Sequence, residues 1–256
     1  MEQYRELIDR ILVNGIESED RTKQGTIYKF GESIEFDLQD GFPIVTMREI
    51  DFKQAVGELI GFMRGYTKIS EFKSVGCNYW DRFSNNDKLG PIYGKQWRDF
   101  GGIDQLNVLI NMLKHNPTSR RLIMSFWNPP ELNSMVLPPC PVLQQFNVQD
   151  DKLNCIVYAR SIDTMLGLPY DIVVYALLTH ILAQECGYNV GKLIFYIGNC
   201  HIYRPHIMEA IKLIKLPTFE LPTLLLNDIK WHKKEPSDFE LIGYTSGPKV
   251  KFELFV

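Results

Sequence analysis

The sequence predicts a fold that mixes helices with strands in one domain spanning residues 1–256. Three observations point to it. Apolar residues recur at helical spacing, as with Ala55, Leu59, Ile60 and Met63, which share one face of a helix. Apolar segments bounded by turn residues, such as 142–149 and 153–159 around Asp150-Asp151-Lys152, read as paired strands. No repeat, low-complexity tract or linker divides the chain, and its length is ample for a substantial core.

The elements follow in order. Leu7, Ile11 and Leu12 lie on one face of a first helix that Gly15 can end. Asp20-Arg21-Thr22-Lys23-Gln24-Gly25-Thr26 is a polar loop whose arginine is either solvated or placed to close on a phosphate. Residues 27–30 and 33–38 read as two strands paired across Gly31-Glu32. Residues 52–63 form a helix carrying Glu58 within an apolar segment. If it faces inward, burial raises its pKa toward the range useful for proton transfer; if outward, it is an ordinary surface carboxylate.

Tyr79-Trp80-Asp81 and Gly90-Pro91-Ile92-Tyr93-Gly94-Lys95-Gln96-Trp97-Arg98 belong to a long irregular aromatic region, and long loops of that kind are commonly functional. A helix over 103–115 is broken at Asn116-Pro117, and Arg120-Arg121 opens a strand over 122–127. Neighbouring side chains on a strand point to opposite faces, so one site does not easily use both arginines, which hints at a subunit boundary.

The strand over 153–159 delivers Arg160-Ser161-Ile162-Asp163, and Leu166-Gly167-Leu168-Pro169-Tyr170-Asp171 precedes a helix over 172–186. Asp171 is placed to act as its N-cap. A strand over 193–197 leads to His201 and Tyr203, two apart and so on one face. The tail alternates strands and turns and ends Leu254-Phe255-Val256, an apolar ending expected to pack on something.

Composition limits the function. Apolar content of 45% and charged content of 23% are those of a soluble globular protein. A net charge of -3 gives no general attraction to nucleic acid or anionic membrane, so an anionic ligand must be held by local arginines. The five cysteines, Cys77, Cys140, Cys155, Cys186 and Cys200, are odd in number and lack metal-ligand spacing, so no disulfide framework or metal site is expected. The amino terminus has no signal-like pattern and no apolar run is long enough to span a membrane, so the cytoplasm is the expected location.

Cys140 stands between Pro139 and Pro141 at the entrance of a strand. Flanking prolines fix the backbone and disfavour helix, which would mount a nucleophile at a defined spot. An ordinary loop cysteine, behaving as a small hydrophobe, can look the same.

Taken together, these residues resemble the thymidylate synthase family over nearly the whole chain. The match consists of Asp20-Arg21-Thr22, Asp40-Gly41-Phe42-Pro43, the stretch from Gly90 to Arg98, Ser119-Arg120-Arg121, Pro139-Cys140, Arg160-Ser161-Ile162-Asp163, Leu166-Gly167-Leu168-Pro169 and His201-Ile202-Tyr203, in the family's order. The resemblance implies an α+β fold built on a twisted mixed sheet flanked by helices, with two subunits packed sheet to sheet as a homodimer. It implies that Cys140 attacks C6 of a pyrimidine deoxynucleoside monophosphate, so that C5 takes the methylene group of 5,10-methylenetetrahydrofolate. Arg21, Arg160 and Ser161 would hold the phosphate, with Arg120 and Arg121 reaching in from the partner subunit. Glu58 would manage protons with Tyr93 beside it, and His201 and Tyr203 would bind the deoxyribose hydroxyl. Trp80, Asp163, Gly167, Tyr170 and Val256 would form the folate side. The chemistry of the residue types agrees, since a thiolate adds well to a conjugated double bond and arginines nearby favour it.

The departures narrow the expectation. Family members acting on uracil carry asparagine where this chain has Asp171. Asparagine matches uracil N3–H and O4, whereas Asp171 can accept from cytosine N4 and share a proton with N3, which favours dCMP over dUMP. Pro141 stands where the synthases usually have histidine, Asn199 where they have aspartate, and Asp51 where they tend to be basic. The exocyclic methylene intermediate has two fates: water gives a hydroxymethyl group, and hydride from the folate gives a methyl group and dihydrofolate. Trp80 and the synthase-like tail favour a dry site and methylation. Asp171 and the lost histidine resemble the dCMP hydroxymethylases that modify cytosine for phage DNA, and hydroxymethylation is the expectation, with a phage-encoded origin compatible. A catalytically silent nucleotide- or RNA-binding regulator is the non-enzyme alternative. Retention of Cys140, Glu58 and the arginines argues against it.

Overall fold

The computed structural model describes residues 1–84 and 86–255. In chain order its elements are α1 (Glu2–Asn14), β1 (Ile16–Ser18), β2 (Thr26–Asp37), α2 (Phe52–Arg64), α3 (Ile69–Ser74), α4 (Tyr93–Arg98), α5 (Gln105–His115), β3 (Ile123–Ser125), β4 (Pro141–Gln149), β5 (Lys152–Asp163), α6 (Gly167–Cys186), β6 (Asn189–Tyr203), α7 (Ile207–Leu213), β7 (Thr223–Leu226) and β8 (Phe239–Ile242). Six strands form a mixed sheet in the order β1-β2-β6-β5-β4-β3, and β7 pairs with β8. Only β5 and β6 run parallel in the large sheet. The connection between them is α6, the crossover helix that a parallel pair requires. It is buried on nearly every side, from Leu168 to Ala183, as befits a helix enclosed by sheet and helices. This is the α+β architecture expected, a twisted mixed sheet flanked by helices.

Several local expectations need correction. Residues 27–30 and 33–38 are one strand, β2, which lies antiparallel along β6 from Thr26↔Tyr203 to Asp37↔Lys192. Gly31-Glu32 reads as a turn by composition, but the 15-residue β6 offers a continuous partner on both sides of it. Gly31 has φ +84, so the strand bends there without reversing. The bend shows in the burial pattern. Leu193, Phe195 and Ile197 are buried on β6, then Cys200 and Ile202; on β5 the same slip falls between Ala159 and Ile162. Since alternate residues face opposite sides, that one-residue slip turns Ser161, Asp163, Asn199, His201 and Tyr203 toward one cleft.

The stretch from Tyr93 to Arg98 is helical rather than irregular. It packs on α2 at Gly94, where a Cβ would lie 2.6 Å from Phe62 Cα. The strand expected over 122–127 is only β3, and Arg120 and Arg121 lie in the turn before it, both exposed. Asp171 is not an N-cap: α6 begins at Gly167, four residues earlier. Among the described residues no side chain caps the helix start; Asp163 instead fixes the turn leading into it, its Oδ1 accepting from Met165 N–H at 2.8 Å and Leu166 N–H at 3.2 Å. The turn between β4 and β5 is as read, with Asp150 and Asp151 both at positive φ (50 and 59), the geometry of a tight hairpin.

Candidate active site

The strand bend, α2, α6 and the tail enclose a cleft of about 1050 Å³. All the residues singled out for the site line it except Arg120, Arg121 and Val256. The two arginines are exposed elsewhere on the chain, and Val256 lies outside the described residues.

Cys140 is held by its neighbours' backbone. Its N–H donates to the Tyr93 hydroxyl at 2.9 Å and its carbonyl accepts from Arg160 N–H at 2.9 Å. The Arg160 guanidinium donates to the carbonyls of Pro139 (2.8 Å) and Pro138 (3.0 Å), so one residue of β5 fastens the whole proline-bracketed loop. The register between β4 and β5 shifts between Pro141 and Leu143. Proline is suited to the first position of a strand at such a bulge, where no ladder N–H is needed, which gives Pro141 a backbone reason. The thiol itself is pushed up to about 11 by burial, against the pull of the Arg160 charge and the Tyr93 hydroxyl. Arg160 does pull the thiol down, as expected of a nearby arginine, but burial outweighs that pull.

Glu58 faces inward. It is 5% exposed, its Oε1 accepts from Trp80 Nε1–H at 3.1 Å, and burial raises its pKa to about 7 against hydrogen bonds from Tyr79 and Trp80. Asp171, on α6, opens on the same cleft. Burial, then the Glu58 charge, hold its carboxyl well above the usual range. Both effects favour the neutral form. Tyr93 stacks on Phe62 (5.1 Å between ring centroids), and burial raises its phenol so that it stays protonated.

At the other end of the cleft, His201 and Tyr203 sit edge to face at 5.1 Å, on one face of β6 as their spacing predicts. His201 Nδ1 lies 2.9 Å from Asn199 Oδ1 and 3.4 Å from Ser161 Oγ, and burial lowers the ring to about 4, leaving it neutral. Asn199 thus has a partner in the site. Asp51 has a structural task as well, capping α2 through Gln54 N–H at 3.3 Å. Burial raises Asp163 to about 6, against hydrogen bonds from Met165 and Leu166. Gly167 and Tyr170 lie on the first turn of α6, and Tyr170 meets Tyr79 at 5.8 Å. Tyr79 in turn stacks on Trp80 at 5.9 Å. These rings make one wall, suited to a flat heterocycle.

Sequence reasoning missed three contributors. Tyr79 was legible only as the neighbour of Trp80. Arg48, 4% exposed, places its guanidinium 5.1 Å from the Phe252 ring centre and donates to Met165 O, bridging the tail to the start of α6. His206 contacts Phe252 (5.1 Å) and Phe255 (5.3 Å), and its Nε2 lies 2.9 Å from Glu253 O. Both depend on contacts between distant parts of the chain, which no local pattern announces.

A thiol, a carboxylic acid near neutrality, a second neutral carboxyl and an aromatic wall share one cleft whose rim carries Arg21 and Arg160. Such a site can add sulfur to an activated double bond, move protons and hold an anionic, planar ligand. The family model described as thymidylate synthase matches residues 2–256, and the chain belongs to the thymidylate synthase family.

Proposed function

We propose that this enzyme converts dCMP to 5-hydroxymethyl-dCMP. The family transfers a one-carbon unit to C5 of a pyrimidine nucleotide with methylenetetrahydrofolate as co-substrate; the folate supplies that unit at the oxidation level of formaldehyde. In the proposed reaction the Cys140 thiol gives up its proton and the thiolate adds to C6. The displaced electron pair makes C5 the nucleophile that takes the methylene group. As a base takes the C5 proton, the bond from the methylene carbon to the folate nitrogen breaks and tetrahydrofolate leaves with that pair, taking up a proton; water then adds its oxygen to the exocyclic methylene, and the sulfur leaves C6 with its bonding pair, restoring the C5–C6 double bond. Glu58, raised to about 7, is suited to give and take protons near neutrality.

The observation that carries the cytosine reading is the place of Asp171, which lines the same cleft as Cys140 and Glu58 from the start of α6, where burial raises its carboxyl. Both pyrimidines offer one donor and one acceptor at this edge, so the basicity of the acceptor separates them. Cytosine N3 is a ring nitrogen that becomes more basic once C6 is saturated, and it can take the Asp171 proton while N4 donates to the other oxygen. Uracil O4 is a far weaker base. Asparagine can donate a hydrogen bond through its amide but cannot give up that proton to N3, which is why this position matters. Purified protein should turn over dCMP in preference to dUMP, and Asp171→Asn should shift kcat/KM toward dUMP. Faster turnover of dUMP by the native enzyme, with no shift in the variant, would sink the proposal.

A second reading, dCMP methylation with release of dihydrofolate, is favoured by the burial of Trp80 (2% exposed) and by the tail aromatics over the cleft, which oppose water entry. dUMP methylation remains the outcome that the Asp171→Asn comparison addresses. The homodimer belongs to the same proposal. Phe30 and Tyr196, on adjoining strands, are 80% and 46% exposed, apolar surface that a second sheet would cover. Arg120 and Arg121 would then serve the partner's phosphate. A cytoplasmic setting, phage-encoded or not, belongs with this reading; among the described residues no helix is long and apolar enough to cross a membrane.

A further inference from the structure

We infer that Arg204 is a positioning residue that sets the Arg21 loop for the nucleotide phosphate, an inference that rests on the reading in which Arg21 binds that phosphate. Arg204 follows Tyr203 at the end of β6. Its backbone N–H donates to Gly25 O at 3.0 Å, its Nη1 to Glu19 Oε1 at 2.8 Å and its Nη2 to Glu17 Oε2 at 3.1 Å. One residue therefore fastens both ends of the segment that carries Arg21.

The segment is closed internally as well. Thr22 Oγ1 donates to Asp20 Oδ1 at 2.9 Å, and Gly25 N–H reaches the same oxygen at 3.4 Å. Gly25 has φ +73, and a Cβ there would lie 2.6 Å from the Arg204 guanidinium carbon. The guanidinium thus rests directly on the loop backbone, at a conformation that only glycine adopts freely.

Electrostatics give Arg204 a second effect. Glu19 and Asp20 line the cleft beside Arg21, so a dianionic phosphate meets carboxylates on the same loop. Arg204 offsets Glu17 and Glu19 from outside the cleft. Exposed ion pairs of this kind add little to stability. The role of Arg204 therefore lies in ligand affinity rather than in holding the fold.

The test compares Arg204→Ala, Arg204→Lys, Arg21→Ala and the Arg21→Ala/Arg204→Ala double variant in steady-state kinetics with dCMP and methylenetetrahydrofolate. Arg204→Ala should raise the nucleotide KM about 10-fold while kcat and the folate KM stay within about twofold. The rise should be larger at low ionic strength, where screening is weakest. Lysine, with one compact charge, should recover part of the loss. In the Arg21→Ala background the Arg204→Ala effect should shrink to less than about twofold, because the loop has lost its phosphate ligand. A raised KM in Arg21→Ala with none in Arg204→Ala, or the same factor in both backgrounds, would overturn the positioning role alone. An unchanged KM in Arg21→Ala would overturn the phosphate reading, and this inference with it.

Discussion

The Trp80 indole N–H donates to Glu58 Oε1 across 3.1 Å, so a residue of the aromatic wall holds the carboxyl that the proposed mechanism uses to move protons. The bond favours the ionised form of Glu58 while burial opposes it.

Glu58→Gln should stabilise the protein at high pH. In the folded chain Glu58 is raised from 4.5 to about 7, so its proton is bound more tightly than in the unfolded chain. Its contribution is fully present below pH 4.5 and is lost as pH rises toward 7. The variant removes that loss and should gain stability on the order of 3 kcal/mol at pH 8, with no gain near pH 4. Denaturant unfolding at both pH values checks it, and the same variant should lose about 10²–10⁴-fold in kcat.

Trp80→Phe removes a hydrogen bond that favours ionised Glu58. The limb of the pH–rate profile that depends on Glu58 should move to higher pH. An unmoved limb would show that another group controls it.

Cys140→Ser should abolish turnover by about 10³-fold or more, with dCMP affinity by calorimetry little changed. A pure binding protein would show no turnover in either form. That outcome would return the chain to the regulator reading.

Gly94→Ala should displace α4 from α2, because the new Cβ would lie 2.6 Å from Phe62 Cα and 2.8 Å from its carbonyl oxygen. A cost of about 1–3 kcal/mol is expected, as for other overpacking changes. Tyr93 precedes Gly94 and accepts from Cys140 N–H, so kcat should fall as well. Thermal unfolding and kinetics on one preparation measure both.

The sequence was most legible where chemistry and backbone are local. The proline-bracketed Cys140, the Asp150-Asp151 turn and the shared face of His201 and Tyr203 each follow from neighbouring residues. Asp171 was misplaced as a helix cap because Pro169 reads as a helix boundary. The first turn of a helix accepts proline, since its missing N–H has no intrahelical partner there, and α6 starts before it at Gly167. Gly31-Glu32 has the composition of a turn, and only the long partner strand β6 makes it a bend. Arg48 and His206 were invisible for a related reason: their partners Met165, Glu253 and Phe252 lie far along the chain. Cys140 and Asp171 could be named from sequence, but burial, which raises both groups, had to come from the fold.

In the proposed reaction Asp171 directs this site to cytosine and water completes the turnover. The most direct measurement incubates the enzyme with dCMP and, separately, dUMP in the presence of methylenetetrahydrofolate, with product mass and dihydrofolate absorbance read together. dCMP is expected to gain the mass of CH2O with no dihydrofolate, and dUMP to be turned over far more slowly. A dCMP product heavier by CH2 with dihydrofolate appearing in step, or dUMP consumed in preference, would contradict the proposed reaction.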